Sequence, residues 1–233
     1  MMAFQIQQFL PEPGAILDFG CGHGWFLEAC AAAGLSPLMG VDTSALAISE
    51  LAKKGIQGMT INIGDATPSA ILRDIRAQLS IQPQVITLLD VCEHFEGTRL
   101  MEWLRCMKDT FSHSLKLLIL KVPSSNGLLF RGATNFSRLG IHGPLHQLYQ
   151  VGTYPPHYHY FSDHSIRLLA KKLQFVSIAE LGDPDLDPEG FSDRVRILKH
   201  LPRHVATFLG SILCSTARRM SATDTRILFL RPD

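Results

Sequence analysis

Three glycines at alternate positions, Gly20, Gly22 and Gly24, follow an acidic residue, Asp18, in the run ILDFGCGHGWFLEAC. Glycine reaches positive φ at little steric cost, so this spacing suits a chain that reverses within a few residues while something approaches its bare backbone. A helix starting there would present free N–H groups and a partial positive charge. With Asp18 upstream, the turn suits a ligand that carries both an ammonium group and a carboxylate. The pattern is G-x-G-x-G and lacks the third glycine of the G-x-G-x-x-G that seats a dinucleotide pyrophosphate. A tight turn with no ligand fits the same residues.

Acidic residues recur downstream at what read as the ends of apolar runs. Asp42 in GVDTS can accept two hydrogen bonds from ribose hydroxyls. It also fits a helix N-cap, as does Ser44 two residues on. Asp65 in NIGDAT can accept a hydrogen bond from an adenine amino group, and Asp90, Glu93 and His94 cluster in LLDVCEHF.

Positioning these groups requires a regular scaffold, and the periodicity supplies one. Apolar runs predict strands at 15–19, 38–41, 58–61, 85–89 and 117–121. Amphipathic stretches predict helices at 25–33, 45–54, 69–79 and 97–111, after a short helix at 4–9. Strand alternating with helix at this pitch implies βαβ units and a parallel sheet covered on both faces. The acidic groups then gather at the carboxyl edge, where doubly wound folds bind ligands. Residues 124–156 show no clear period, and so long an irregular segment is usually functional or disordered. Beyond it come a helix at 163–173, a strand at 175–181, a helix at 191–220 interrupted at Pro202, and a last strand at 223–230.

The set ILDFGCGHG, GVDTS, GDA and DVCEH, in this order and each at a strand end, resembles the class I S-adenosylmethionine-dependent methyltransferases. Within them it looks most like the branch of ubiquinone-biosynthesis-type O-methyltransferases. The resemblance runs from about Ala15 to Leu181, and the last strand extends it. It implies a Rossmann-like α/β fold: a doubly wound, mostly parallel seven-stranded sheet with an antiparallel last strand. It implies S-adenosyl-L-methionine as cofactor and O-methylation of a small molecule as the activity. Asp18, Gly20 and Gly22 would hold the methionine part, with Gly24 allowing close approach. Asp42 would bind the ribose and Thr43 would flank the adenine. Asp65 and Ala66 would contact adenine from the far side, and Leu89 and Asp90 would close the pocket beneath the sulfonium. The chain reads as one methyltransferase domain over 1–233. Residues 124–160 would form an insertion covering the substrate, and 188–220 a helical insertion between the last two strands.

Two departures bear on the substrate side. The family usually carries helices ahead of the first strand, and only about a dozen residues precede Ala15 here: either the N-terminus is truncated or the cover comes from elsewhere, for which the long segment after Pro123 is the candidate. That segment and its exit hold all four tyrosines (Tyr149, Tyr154, Tyr158, Tyr160) and five of ten histidines (His142, His146, His157, His159, His164), which suits either substrate recognition or a plain structural cover. Methyl transfer to a hydroxyl benefits from one general base. His94 is the first candidate, with a packing role as the alternative, and His159 in HYHYFS is the second. Asp90, Glu93 and His94 also offer a divalent-metal reading, but without regular ligand spacing, and no metal ligand is assigned.

Composition narrows the partners. A formal net charge of +1 gives no global attraction to nucleic acid or to an anionic membrane. No N-P-P-[YF]-type tetrad follows the fourth strand, so a small-molecule acceptor is expected rather than nucleic acid. The basic, apolar stretch 191–220 fits helices packed on the domain or on a second copy in a homodimer, ahead of membrane association. Five cysteines, with no C-x-x-C and no secretory signal pattern, point to reduced thiols in a cytoplasmic protein. Two rival functions stay open: a cofactor-binding regulatory subunit without catalysis, and an NAD-dependent oxidoreductase, which the glycine spacing disfavours.

Overall fold

The computed structural model describes residues 2–64, 66–183, 204, 205, 215 and 222–233. In chain order these form helix α1 (Met2–Phe9), strand β1 (Ile16–Phe19), α2 (Trp25–Ala32), β2 (Leu38–Asp42), α3 (Ala45–Lys53), β3 (Gln57–Thr60) and α4 (Pro68–Gln78). There follow β4 (Val85–Leu89), a single 3₁₀ turn (Cys92–His94), α5 (Arg99–Thr110), β5 (Leu117–Pro123), α6 (Leu128–Arg138) and α7 (Gly143–Leu148). The chain ends with α8 (Asp163–Lys172), β6 (Phe175–Asp183) and β7 (Thr225–Pro232). The sheet order is β3-β2-β1-β4-β5-β7-β6. It is parallel from β3 to β5, and β7 runs antiparallel between β5 and β6. The expected α/β class, with its antiparallel last strand, is what the chain adopts.

The central strands are apolar at successive positions because both of their faces are covered. Side chains alternate across a strand, and here the alternation divides two cores. Leu17, Phe19, Ile86, Leu88, Leu118 and Leu120 face a large cluster built with α4, α5 and α8. Ile16, Val85, Leu117 and Ile119 face the other side, where α1 contributes Ala3 and Ile6 and α2 contributes Cys30. Helix α5 shows the matching helical period: Leu100, Trp103, Leu104 and Met107 are its buried residues, at i, i+3, i+4 and i+7. Trp103 lies against Phe19 and Phe95, with ring centroids 5.2 and 5.7 Å away. Helix α1, the short helix expected ahead of the first strand, reaches β7 through Phe9 and Phe229, 4.9 Å apart.

Local start signals act as written in the sequence. Ser44 caps α3 by accepting from the Ala47 N–H, Thr67 caps α4 ahead of Pro68, and Ser162 with Ser165 forms a capping box on α8.

The segment after β5 is a correction. Residues 124–156, expected to be irregular, contain α6 and α7. Gly132, Thr134 and Asn135 weaken the helical signal of α6, and its own N-cap, Gly127, has no side chain to offer. The capping group comes from 95 residues away: Asp224 Oδ1 accepts from the Leu129 N–H at 2.9 Å. The Asp224 carbonyl accepts from Ser124 N at 2.7 Å, and the Ala222 carbonyl accepts from Leu128 N at 3.2 Å. The excursion closes where it began, with Ser124 bridged to Phe161, so α6 and α7 are a detour off the carboxyl end of β5. Phe130, Tyr149 and Tyr160 join its parts, the Phe130 and Tyr160 rings stacking at 4.6 Å. Apart from His204, Val205 and Ser215, all helical, the expected helical insertion at 188–220 lies outside the described residues.

Gly127 and Gly132 separate a steric from a conformational role. A Cβ at Gly127 would collide with Asp224, whose Cα would lie 2.7 Å away, whereas a Cβ at Gly132 would meet nothing within 4 Å. Gly127→Ala is expected to lower stability by about 1–3 kcal/mol. Gly132→Ala, in the interior of α6, is expected to raise it by about 0.5–1 kcal/mol. Thermal unfolding of the two variants beside the parent checks both signs.

Candidate active site

The register of the parallel strands assembles the site. Asp18 lies opposite Gly40 on one side and Thr87 on the other. Two residues further on, Gly20, Asp42 and Leu89 therefore share the carboxyl edge. Gly20, Gly22 and Gly24 adopt φ of +77°, +50° and +77°, a region that side chains with a Cβ rarely enter. Their surroundings differ. A Cβ at Gly20 would come within 2.5 Å of Val91 Cγ2, and one at Gly24 would collide with Leu51 Cδ1. A Cβ at Gly22 would meet nothing within 4 Å, so the bare backbone there borders open space.

The Asp42 carboxylate joins two turns. Its Oδ2 accepts from the Gly22 N–H and its Oδ1 from the Ser44 N–H, both at 2.8 Å. Ser44 is the N-cap of α3, so Asp42 is free of that duty, and each of its oxygens keeps a lone pair for a further donor. Helix α2 starts at Gly24 with no side-chain cap, leaving first-turn N–H groups available to a ligand.

Asp18 is only 2% exposed and accepts a 2.6 Å hydrogen bond from the Thr87 hydroxyl. Burial drives its pKa up to about 7; the Thr87 bond opposes the rise and the nearby Asp42 adds to it. Cys21 and Cys30 are pushed up to about 12, chiefly by burial and then by the Asp18 charge, and Cys92 rises as well through burial. These thiols stay protonated near neutral pH and offer no thiolate nucleophile.

Beyond β4 the chain turns sharply. Asp90 takes φ of +57°, its N–H donates to the Lys121 carbonyl at 3.1 Å, and its carboxylate pairs with Lys121 Nζ at 2.9 Å. The 3₁₀ turn then places buried Glu93 beside His94. The substrate-side segment packs directly on it: Tyr158 N–H donates to the Glu93 carbonyl at 2.8 Å, and His94 Nδ1 lies 2.9 Å from the Pro156 carbonyl. A carbonyl only accepts, so Nδ1 carries the proton and the lone pair of His94 sits on Nε2. The neighbouring ring is His157, its centroid 4.9 Å from that of His94. His157 is held at about 4 by burial and then by His94, against a hydrogen bond with the Leu148 carbonyl.

Of the residues expected at the site, Asp18, Gly20, Gly22, Gly24, Asp42, Leu89, Asp90 and His94 come together along this edge. Thr43 and Ala66 are exposed beyond β2 and β3, and Asp65 lies outside the described residues. His159 sits on the segment that docks at His94, with its Nε2 buried and lacking a hydrogen-bond partner among the described residues. Two partners were not singled out from sequence. Thr87 is hidden inside an apolar strand, and His157 was one of several histidines in a segment without periodicity. Only strand register and the fold of 124–160 reveal them.

Open space at Gly22, uncapped N–H groups on α2 and acceptor capacity on Asp42 suit a ligand with a carboxylate and a pair of hydroxyls. The buried acidic Asp18 near the same turn suits an ammonium group. S-adenosylmethionine carries all of these, so the residues present fit it.

Comparison with known proteins agrees with this geometry. The family described as a methyltransferase domain matches residues 2–180. No curated protein matches the chain. Among solved structures it is similar to a SAM-dependent methyltransferase from Archaeoglobus fulgidus, at 15% identity and a TM-score of 0.59, covering 99% of this chain and 92% of that one. It is similar to the magnesium protoporphyrin IX methyltransferase of Synechocystis with bound SAH, at 16% identity and a TM-score of 0.58, covering 100% and 80%. The small RNA methyltransferase HEN1 is a third, at 15% identity and a TM-score of 0.55, covering 99% of this chain and 24% of that one. At such identities the likeness is one of fold. The family match spans most of the chain, and with the sheet order and the glycine turn it assigns the class: the chain belongs to the methyltransferase domain family and is an S-adenosylmethionine-dependent methyltransferase.

Proposed function

We propose that the protein methylates a hydroxyl oxygen of a small molecule, in the manner of the ubiquinone-biosynthesis-type branch that its motifs resemble. The observation that carries this reading is His94. Its tautomer is set by the Pro156 carbonyl, which leaves Nε2 as a proton acceptor at the carboxyl edge beside Leu89 and Asp90. A hydroxyl nucleophile needs such an acceptor, because its proton must leave as the new O–C bond forms.

In this reading the cofactor supplies an electrophilic methyl group on a sulfonium. Asp42 holds the ribose through the lone pairs left over from Gly22 and Ser44. The α2 N–H groups and Asp18 orient the methionine part. Thr43, Asp65 and Ala66 flank the adenine, and Leu89 and Asp90 close the pocket beneath the sulfur. Alignment of nucleophile, carbon and sulfur then provides most of the acceleration. His94 takes the acceptor proton on Nε2, and His159 is the second candidate for that role. The 124–160 segment covers the acceptor and excludes water. A small molecule is the partner in this reading; a net charge of +1 favours neither nucleic acid nor a membrane surface. Among the described residues no helix is long and apolar enough to cross a membrane.

Three measurements test the assignment. Calorimetric titration with S-adenosylhomocysteine should show micromolar binding that Asp42→Ala weakens by about 100-fold, the loss of two hydrogen bonds to a charged acceptor; equal affinity would remove Asp42 from the ribose. With a hydroxylated acceptor, His94→Ala should lower kcat by about 10²–10⁴-fold while leaving S-adenosylhomocysteine affinity nearly unchanged. If only His159→Ala shows that loss, the base is His159.

The third concerns pH. Asp18 keeps its proton up to about 7 in the folded chain, against about 4 when unfolded. Folding therefore takes up a proton between those values, and its contribution to stability falls as pH rises from about 4 to about 7. Asp18→Asn lacks this dependence, so its melting temperature relative to the parent should climb across that window and level off above it. An ammonium group bound beside Asp18 favours the carboxylate, so binding near pH 6 should release a proton, read as an enthalpy that varies with the buffer. A binding enthalpy independent of buffer would take Asp18 away from the ammonium.

A further inference from the structure

A cavity of about 350 Å³ opens at the end of the sheet opposite the glycine turn, between the end of α1, the start of β5 and the end of β7. We propose that it binds a straight-chain fatty acid, with the tail among leucines and the carboxylate on Lys116 and Arg231. Because β1, β4 and β5 run parallel, the start of β5 lies at the edge away from Gly20, Asp42 and Leu89. The cavity is therefore separate from the site that holds the cofactor.

Strand register places the lining. Leu118 pairs with Leu230 and Ile119 with Phe229, so Leu117 stands opposite Arg231, and Arg231 stands opposite Val176 on β6. Alternate residues of a strand share a face, so this row lies on the face where Phe229 meets Phe9 of α1. Helix α1 ends at Phe9, and beyond it the row is only partly covered. Leu117 is buried, whereas Val176 at the far end of the row is 49% exposed.

The lining selects the ligand. Phe9, Leu10, Leu115 and Leu117 form apolar walls, with the two last buried, while Lys116 and Arg231 are exposed at the mouth. None of the lining residues is acidic, and among the described residues neither cation forms an ion pair. Two unpaired cations at the mouth of an apolar cavity complement one anionic group joined to an apolar body. The Arg231 guanidinium can hold a carboxylate through two parallel hydrogen bonds, and the aliphatic stems of both side chains extend the apolar wall. The walls offer no side-chain hydroxyl or amide to orient a polar ring or a sugar, so the body that fits is plain hydrocarbon. The volume falls within the roughly 300–1,000 Å³ of small-ligand sites. A ligand there touches α1 and both strands, and so fastens α1 to the sheet. The proposal is independent of the acceptor and of the base proposed above.

The test is calorimetric titration of the full chain with decanoate, with and without saturating S-adenosylhomocysteine. The expected result is saturation at one decanoate per chain, with affinity unchanged by S-adenosylhomocysteine. Octanoate should bind about 10-fold more weakly, because two fewer methylenes are buried. The double variant Lys116→Met with Arg231→Met removes both charges and keeps the apolar stems, and should weaken decanoate by about 10-fold. Decanoate should also raise the melting temperature of the parent protein. Both cations are exposed and unpaired, so the double variant should fold, which circular dichroism checks. Absence of saturable binding to the folded parent protein would overturn the site, as would unchanged affinity in the double variant. Decanol binding as tightly as decanoate would take the cations out of the site and overturn it too. Competition by S-adenosylhomocysteine would move decanoate to the methyltransferase site, and a dimer in sedimentation that Val176→Glu breaks apart would give this face to a second copy. Either result overturns the proposal and leaves the cofactor assignment standing.

Discussion

The site depends on one carboxylate making two bonds to backbone. Asp42 accepts from the Gly22 N–H and the Ser44 N–H, both at 2.8 Å, and so ties the turn after β1 to the turn after β2. The glycine turn takes three left-handed residues within five positions, a conformation with little intrinsic preference for any one arrangement. Asp42 selects the arrangement that leaves Gly22 facing open space. The parallel register does the rest, because it sets Gly20, Asp42 and Leu89 in one row across the sheet edge.

A second constraint works at the far side of that edge. Buried on both faces, the sheet exposes polar groups chiefly where its strands end. The chain leaving β5 makes a closed detour and returns at Phe161, beside Ser124. On the return path its backbone docks against the 3₁₀ turn after β4 through Pro156 and Tyr158. Two polar regions result, a cradle of glycine backbone and carboxylate over β1 and β2 and a histidine-rich wall over β4. Asp18 belongs to the interior of the first: its carboxyl is buried behind the glycine turn with Thr87 as its hydrogen-bond donor, and burial keeps it protonated up to about 7. The protonation of the cradle therefore responds to whatever charge is bound there.

The sequence by itself determined the alternation of strands and helices, most element ends and the position of the glycine turn. These follow from local rules: period-2 and period-3.6 burial, helix caps such as Ser44 and Thr67, and glycine where φ must be positive. It also placed Asp42, Asp90 and His94 at or just past strand ends, since a residue next to an apolar run is at an edge wherever the strands pair. What only the tertiary structure decided has non-local causes. Helix α6 begins on a cap supplied by Asp224, 95 residues away, and its own Gly132, Thr134 and Asn135 speak against it locally. Thr87 meets Asp18 because β4 lies beside β1 in register, which no single strand records. His157, rather than His159, stands beside His94, because the path of a non-periodic segment is set by where its backbone hydrogen bonds are satisfied and by the packing of Phe130, Tyr149 and Tyr160. Local periodicity says which face a residue occupies; only the assembled fold says what it faces.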